Sequence, residues 1–320
     1  MGKSDPYASG RARFEEINGP PPGKFIDTKH GSTHYILEGP TKGPLVVLQH
    51  GIGSDFSRMD RIARDLVALG YRVLRYDFYD RGYSESDPKR YPIHTLGAHP
   101  LPFTMELHVE QMQEVLQNLK LDKTPLVHCG HSLGGLTGIA YTSEYPDHVK
   151  GLVLIDSVCF PANKPILAYV ADLPVVGNFL TQQFGVQTFM KFAKGCNFNP
   201  DDPVMKDSLV KIEQNCRTNP RYFSSVRSSN THCRGLVGSA EPEFRKCCKA
   251  SFPIHLIWGK SDTSVPYEAC QKLREIAEDA GSIVTELSFE GMPHNVFFED
   301  AKPEECSKSI CEFVGKVYKK

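Results

Sequence analysis

From about residue 31 onward, two kinds of apolar run alternate along the chain. Short blocks rich in aliphatic and β-branched residues read as strands: Thr33–Leu37, Leu45–Gln49, Arg72–Tyr76, Leu126–Cys129 and Gly151–Ile155. Between them lie segments with apolar residues at helical spacing. Met59–Leu69 places Ile62, Ala63, Leu66 and Val67 on one face, Met105–Leu119 does so with Leu107, Met112, Val115, Leu116 and Leu119, and Leu133–Tyr145 follows the same period. The alternation stops between residues 157 and about 250, where aromatics and prolines are scattered. It resumes with a strand at Pro253–Trp258, a helix at Tyr267–Asp279, a strand at Ile283–Ser288 and a helix at Pro303–Tyr318. Strands alternating with helices predict an α/β fold: a mostly parallel sheet with helices on both faces, its core built from residues 31–156 and 250–320. Residues 157–249 then form an insertion over the C-terminal edge of the sheet, and residues 1–30, with Gly19-Pro20-Pro21-Pro22-Gly23, an extended lead-in.

Composition narrows the function classes. The chain has 320 residues, 40% hydrophobic and 23% charged, which suits one large domain with an insertion. A formal net charge of −1 supplies no basic field for nucleic acid. No stretch approaches the length of apolar sequence needed to span a bilayer, and the N-terminus lacks the apolar core of a secretory signal. The expectation is a cytoplasmic chain whose ten cysteines are reduced thiols. None of those cysteines forms C-x-x-C, so no metal site is expected.

The chemistry gathers at the strand ends. Gly130-His131-Ser132-Leu133-Gly134 is a G-x-S-x-G directly after one strand and directly before a small-residue helix. Such an elbow forces the serine into a strained backbone conformation, and flanking glycines remove the side chains that would clash there. Ser132 is the candidate nucleophile. A hydroxyl needs a base, and His294 is singled out among twelve histidines by its place after the final strand and before the final helix. The imidazole needs a carboxylate. Asp262, in G-x-x-D-x-x-V-P after the penultimate strand, is the favoured acid; Asp156, ending the strand before the insertion, is its rival and is read as binding nearby backbone. The order Ser132, Asp262, His294 suits a nucleophile elbow of this kind. Two backbone N–H groups are expected to hold the oxyanion, that of Leu133 after the nucleophile and that of Ile52 in His50-Gly51-Ile52-Gly53. Asp77 and Arg81 read as braces of the loops beside the site, and Gly82 as permitting a tight bend.

Taken together, H-G-x-G, D-x-x-D-R-G-x-S, G-H-S-L-G-G, W-G-x-x-D-x-x-V-P and a late histidine resemble the α/β-hydrolase superfamily, in its esterase and lipase branch, related to proline iminopeptidases and meta-cleavage C–C hydrolases. The resemblance covers about residues 33–156 and 250–318. It implies a mainly parallel eight-stranded sheet, an inserted helical cap or lid, and neither cofactor nor metal. Pro293 departs from the glycine many relatives carry there, and a serine at 132 argues against the branches that use aspartate as nucleophile.

The insertion should set substrate choice. Ile166, Leu167, Val170, Leu173, Val175, Val176, Phe179, Leu180, Phe184, Phe189 and Phe192 make its first third apolar. Two readings stand: a pocket for an apolar acyl chain or a lid that touches lipid peripherally, and a face that simply packs on the core. The expected function is hydrolysis of a carboxylic ester of a small molecule through an acyl-enzyme. The alternatives are a C–C bond hydrolase or aminopeptidase of the same fold, and a ligand receptor that retains the triad.

Overall fold

The computed structural model describes residues 10–93, 99–161 and 179–319. Nine strands form one sheet: β1 (Lys24–Thr28), β2 (Gly31–Glu38), β3 (Leu45–Gln49), β4 (Arg72–Tyr76), β5 (Glu85–Ser86), β6 (Leu126–His131), β7 (Val149–Ile155), β8 (Pro253–Gly259) and β9 (Ile283–Phe289). Eight of them follow the order β1-β2-β4-β3-β6-β7-β8-β9. The ninth, the two-residue β5, pairs antiparallel with β2 through Gly31↔Ser86 and Ser32↔Glu85. The eight-stranded expectation is therefore corrected to nine, because so short a strand has no hydrophobic period to betray it. From β4 to β9 every pairing is parallel; β1 and β2 are antiparallel.

Helices cover both faces. α1 is Gly10–Asn18, α2 Asp60–Ala68, α3 Met105–Asn118 and α4 Leu133–Glu144. The insertion carries α5 (Val186–Gly195), α6 (Pro203–Thr218), α7 (Pro220–His232) and α8 (Glu241–Cys247), and the chain closes with α9 (Tyr267–Asp279) and α10 (Pro303–Lys319). Alternate residues of β3 divide between the two cores. Leu45 and Val47 join the α3, α4 and α9 side, and Val46 and Leu48 the α2 and α10 side. Both faces being buried explains why the strand reads as an unbroken apolar run. Caps begin the insertion helices: Asp202 accepts from Val204 N–H at 2.9 Å before Pro203, and Asn219 from Arg221 N–H at 3.1 Å before Pro220.

The lead-in departs from expectation. It is helical at Gly10–Asn18, where Phe14 is buried edge-on against Tyr83 at 4.8 Å and Asn219 donates to the Gly10 carbonyl at 3.0 Å. A tertiary contact, not local propensity, makes this helix. α8 packs Phe244 and Cys247 into the α4-side core, while Val186, Met190, Leu209, Tyr222, Phe223 and Val226 form a separate small core of the insertion. Of its apolar run, Ile166, Leu167, Val170, Leu173, Val175 and Val176 lie outside the described residues. Among the described residues no helix is long and apolar enough to cross a membrane. All ten cysteines are free thiols, and Cys159 is a buried member of the α4-side core.

Several histidines are buried as neutral rings. Burial pushes His108 and His128 down to about 3 and His255 to about 4. As pH falls through the ordinary value of 6.5, the unfolded chain takes up these protons before the folded one does. Stability is thus complete above about pH 6.5 and declines below it, by up to ~1.4 kcal/mol per pH unit for each ring. Asp156, pushed up by burial and then by the charge of Asp262, acts in the opposite sense and offsets part of the decline. Urea midpoints should fall between pH 6.5 and about 5, and His128→Gln should flatten that slope.

Candidate active site

Ser132 stands where β6 turns into α4, with φ +53° and ψ −114°. A left-handed φ in a residue with a Cβ costs on the order of 1–3 kcal/mol, so the surroundings must impose it. They do so through hydrogen bonds: Ser132 N–H donates to the Ile155 carbonyl of β7 at 2.9 Å, and the Ser132 carbonyl accepts from Leu136 and Val158 N–H at 3.2 and 3.3 Å. The glycines of the motif have steric reasons. A Cβ on Gly130 would collide with the backbone of Gly134, and one on Gly134 with the carbonyl of Gln49. The strand, the helix and the neighbouring β3 are packed too closely for any side chain there.

Those bonds also aim two backbone N–H groups. Because a peptide is planar and trans, holding its carbonyl points its N–H the other way. The Ser132 carbonyl is held as described, which orients the Leu133 N–H, itself the first of α4 and without an intrahelical acceptor. The Gly51 carbonyl accepts from His50 Nδ1 at 2.7 Å and from Ser54 N–H at 3.4 Å, which orients the Ile52 N–H. His50 is buried, burial pushes its pKa down, and its Nε2 accepts from Phe78 N–H at 3.1 Å. A single neutral tautomer, protonated on Nδ1, satisfies both bonds. Sequence reasoning quoted His50 and gave it no role; the H-G pair was the available signal.

Ile52 and its loop are braced on the insertion side as well. The Arg81 guanidinium donates from Nε to the Ile52 carbonyl at 2.6 Å and reaches Ser225 and Ser229 of α7. Burial pushes Arg81 down to about 10, so it stays charged at neutral pH. Tyr222 of α7 donates to the Gly53 carbonyl at 2.8 Å. Asp77 accepts from Phe56 and Tyr83 N–H at 2.8 and 3.0 Å, and a Cβ on Gly82, at φ +51°, would strike its carboxylate. The contacts of Asp77 and Arg81 match the expected bracing, and the positive φ of Gly82 the expected tight bend.

On the other side, Asp262 and His294 meet. His294 Nδ1 lies 2.7 Å from Asp262 Oδ2, while Asp262 Oδ1 accepts from Ser264 and Val265 N–H at 2.7 and 2.9 Å. The Val265 carbonyl is held in turn by Trp258 Nε1 at 2.9 Å. Gly259 has no room for a Cβ because the carbonyls of Met292 and Pro293 press on it, which lets the two loops run side by side. Asp156, at φ +42°, spends both oxygens on backbone donors and makes no hydrogen bond to the imidazole: Oδ1 accepts from Gly259 N–H at 2.9 Å and Oδ2 from Val296 N–H at 3.5 Å. Burial first, then the Asp262 charge, pushes its carboxyl well above the ordinary value.

His131 lies against the His294 ring with centroids 4.9 Å apart and contacts the His294 carbonyl through Nε2 at 3.3 Å. Burial holds it well below its ordinary pKa. His131, Asp156 and His294 bring donor atoms within 4.8 Å of one another, the one such group among the described residues. A cation there would occupy the same His294 that pairs with Asp262.

Ser132 and His294 open on one cavity of about 1060 Å³. Ile52, Phe160, Phe184, Phe189, Leu209 and Phe223 line it, and Glu268 is the one carboxylate among its described lining residues. A hydroxyl and an imidazole–carboxylate pair on one apolar chamber, with two oriented backbone N–H groups nearby, are groups that acyl transfer uses.

The comparisons agree with this reading at the level of family. The family model described as "Serine aminopeptidase, S33" matches residues 40–301. Human monoglyceride lipase is 32% identical over 241 residues, covering 75% of this chain and 72% of its own length. The 2-hydroxy-6-oxo-6-(2'-aminophenyl)hexa-2,4-dienoic acid hydrolase of Metapseudomonas resinovorans is 24% identical over 260 residues, 80% of each chain. The solved structure of an esterase from Exiguobacterium antarcticum superimposes with a TM-score of 0.71 at 18% identity, covering 92% of this chain and all of that one, a likeness of fold. With its sheet, its elbow and more than three quarters of its length matched, the chain belongs to the serine aminopeptidase S33 family of α/β hydrolases.

Proposed function

We propose that the protein is a carboxylic ester hydrolase that cleaves an apolar acyl ester through an acyl-enzyme on Ser132. The observation that carries this is the 2.7 Å pair of Asp262 and His294 beside a serine held at φ +53° on the wall of an apolar cavity. In the proposed cycle His294 takes the Ser132 proton as the hydroxyl attacks the ester carbonyl, and Asp262 stabilises the imidazolium. The N–H groups of Ile52 and Leu133 receive the oxyanion. His294 then protonates the leaving alcohol, and water releases the acid by the same steps. Residues 157–249 act as the cap, and the chamber beneath them takes the acyl chain. A lone lining carboxylate, Glu268, is a poor receptor for a free amine, which favours an ester over a peptide. Phe184 and Phe192 line the cavity yet are 57% and 46% exposed, as suits a lid that meets lipid aggregates. Ten free thiols suit a reducing, cytoplasmic setting.

A chain-length series of p-nitrophenyl esters tests the reading. Each added methylene buried in the chamber contributes about 0.8 kcal/mol, so kcat/KM should climb roughly three- to fourfold per carbon before levelling off. Equal turnover of acetate and long-chain esters would remove the acyl pocket. Turnover of a vinylogous 1,5-diketone with no turnover of any ester would favour a C–C hydrolase.

A further inference from the structure

We propose that Arg58 is the receptor for an anionic group, a carboxylate or a phosphate, carried by the ester substrate; this rests on the hydrolase reading above. Arg58 lies in the one-turn 3-10 segment Phe56–Met59, just past the Gly51–Ser54 loop, and lines the same cavity as Ser132 and His294. Its guanidinium carbon sits 4.9 Å over the ring of Phe298, and Phe298 packs on His131, the residue before the nucleophile, at 5.9 Å between ring centroids. One aromatic layer separates the cation from the elbow.

Among the described residues the Arg58 side chain has no hydrogen bond and no ion pair. Arg58 is partly buried, whereas the buried arginines all have them: Arg75 with Glu38 and Asp60, Arg81 with Ile52, Ser225 and Ser229, and Arg221 with Ser86, Tyr91, Asp80 and Glu85. None of the carboxylates whose field reaches Arg58 pairs with it, although Asp300 Oδ1 has no hydrogen-bond partner. Asp55 caps Ser57 N–H at 2.9 Å, Asp60 binds Arg75, and Asp300 accepts from Asn199 N–H at 2.7 Å. Burial pushes the guanidinium below its ordinary pKa, as it does for Arg81. A planar guanidinium offers a fork that fits two oxygens of a carboxylate or phosphate, and such a pair gains strength where water is thin. With aromatic walls for an acyl chain and a free cation on the same surface, the cavity fits an amphiphile: an ester with an apolar chain and one anionic group.

The test compares matched esters. A monoacylglycerol and the lysophosphatidate of the same acyl chain place the anion on the alcohol side. The p-nitrophenyl monoester of a long dicarboxylic acid and its methyl-capped counterpart place it on the acyl side. In one of these pairs the wild-type protein should prefer the anionic member. Arg58→Gln should lower that anionic-to-neutral ratio of kcat/KM by about tenfold or more, Arg58→Lys should retain most of it, and about 0.5 M salt should weaken it. In a Ser132→Ala background, the Kd for the preferred anionic ester should rise by a similar factor on adding Arg58→Gln. A wild-type ratio at or below one in both pairs, or ratios and Kd values indifferent to Arg58→Gln, would overturn the proposal. If no ester of either kind is turned over, the hydrolase reading fails, and the Kd comparison still decides Arg58. Should Arg58→Gln not fold, the Arg58→Lys and salt arms decide: a preference insensitive to salt counts against the proposal.

Discussion

Ser132→Ala should abolish covalent labelling by a fluorophosphonate probe and lower kcat toward a long-chain p-nitrophenyl ester by roughly 10⁴- to 10⁶-fold, with the melting profile retained or slightly improved. The size follows from the proposed role: with no hydroxyl, no acyl-enzyme forms, and the residual rate comes from binding and the oxyanion donors alone. Stability should hold because the substitution removes one hydroxyl that none of the hydrogen bonds shaping the elbow uses. Those run through the backbone, from Ser132 N–H to Ile155 and from Leu136 and Val158 to the Ser132 carbonyl. The left-handed φ of +53° is shared by serine and alanine, so the strain is not worsened. Mass spectrometry of the labelled protein gives the site directly. Labelling of folded wild-type protein at any residue other than Ser132, or none, would remove the nucleophile assignment.

Asp262→Asn and Asp156→Asn should separate sharply. The first is expected to cost about 10⁴-fold in kcat, because an amide facing His294 Nδ1 favours the wrong tautomer and cannot stabilise an imidazolium. Its two backbone acceptor bonds, from Ser264 and Val265, can be kept by the remaining oxygen, so the loop should stay folded. Asp156→Asn acts on different bonds. Burial pushes its carboxyl pKa up, and an asparagine oxygen can still accept from Gly259 or from Val296, but not from both. The expected result is a loss of about 1–3 kcal/mol in stability from the unsatisfied N–H, with kcat within about tenfold of wild type. Steady-state kinetics and denaturant midpoints on both variants check this. A larger kinetic loss in Asp156→Asn than in Asp262→Asn would exchange the two roles.

Much of the core was legible because its information is local. β3, β4 and α9 span the same residues in structure and in sequence expectation, since a buried parallel strand and an amphipathic helix each carry a period the sequence displays. Gly130, Ser132 and Gly134 were legible for a similar reason: the collisions that demand glycine involve a strand, a turn and a helix contiguous in the chain. The helix at Gly10–Asn18 and the two-residue β5 were not legible, because each exists through partners more than 50 residues away: Tyr83 and Asn219 for the one, Gly31 and Ser32 for the other.

By itself the sequence determined the α/β rhythm, the elbow at Ser132 and the candidacy of His294, all of which follow from short-range spacing. It favoured Asp262 through its G-x-x-D-x-x-V-P setting and kept Asp156 as a rival, since both lie at or just past strand ends and spacing alone does not place a carboxyl against an imidazole 32 or 138 residues away. Only the tertiary structure decided that placement, by packing the Gly259–Asp262 loop against Met292 and Pro293 so that Asp262 meets Nδ1 while Asp156 is consumed by backbone N–H groups. The same holds for His50 and Arg81 behind the Gly51–Ser54 loop and for the unpaired Arg58 in the cavity. A charge or an imidazole acquires its role from what surrounds it in space, and in this chain those surroundings come from segments that the fold alone brings together.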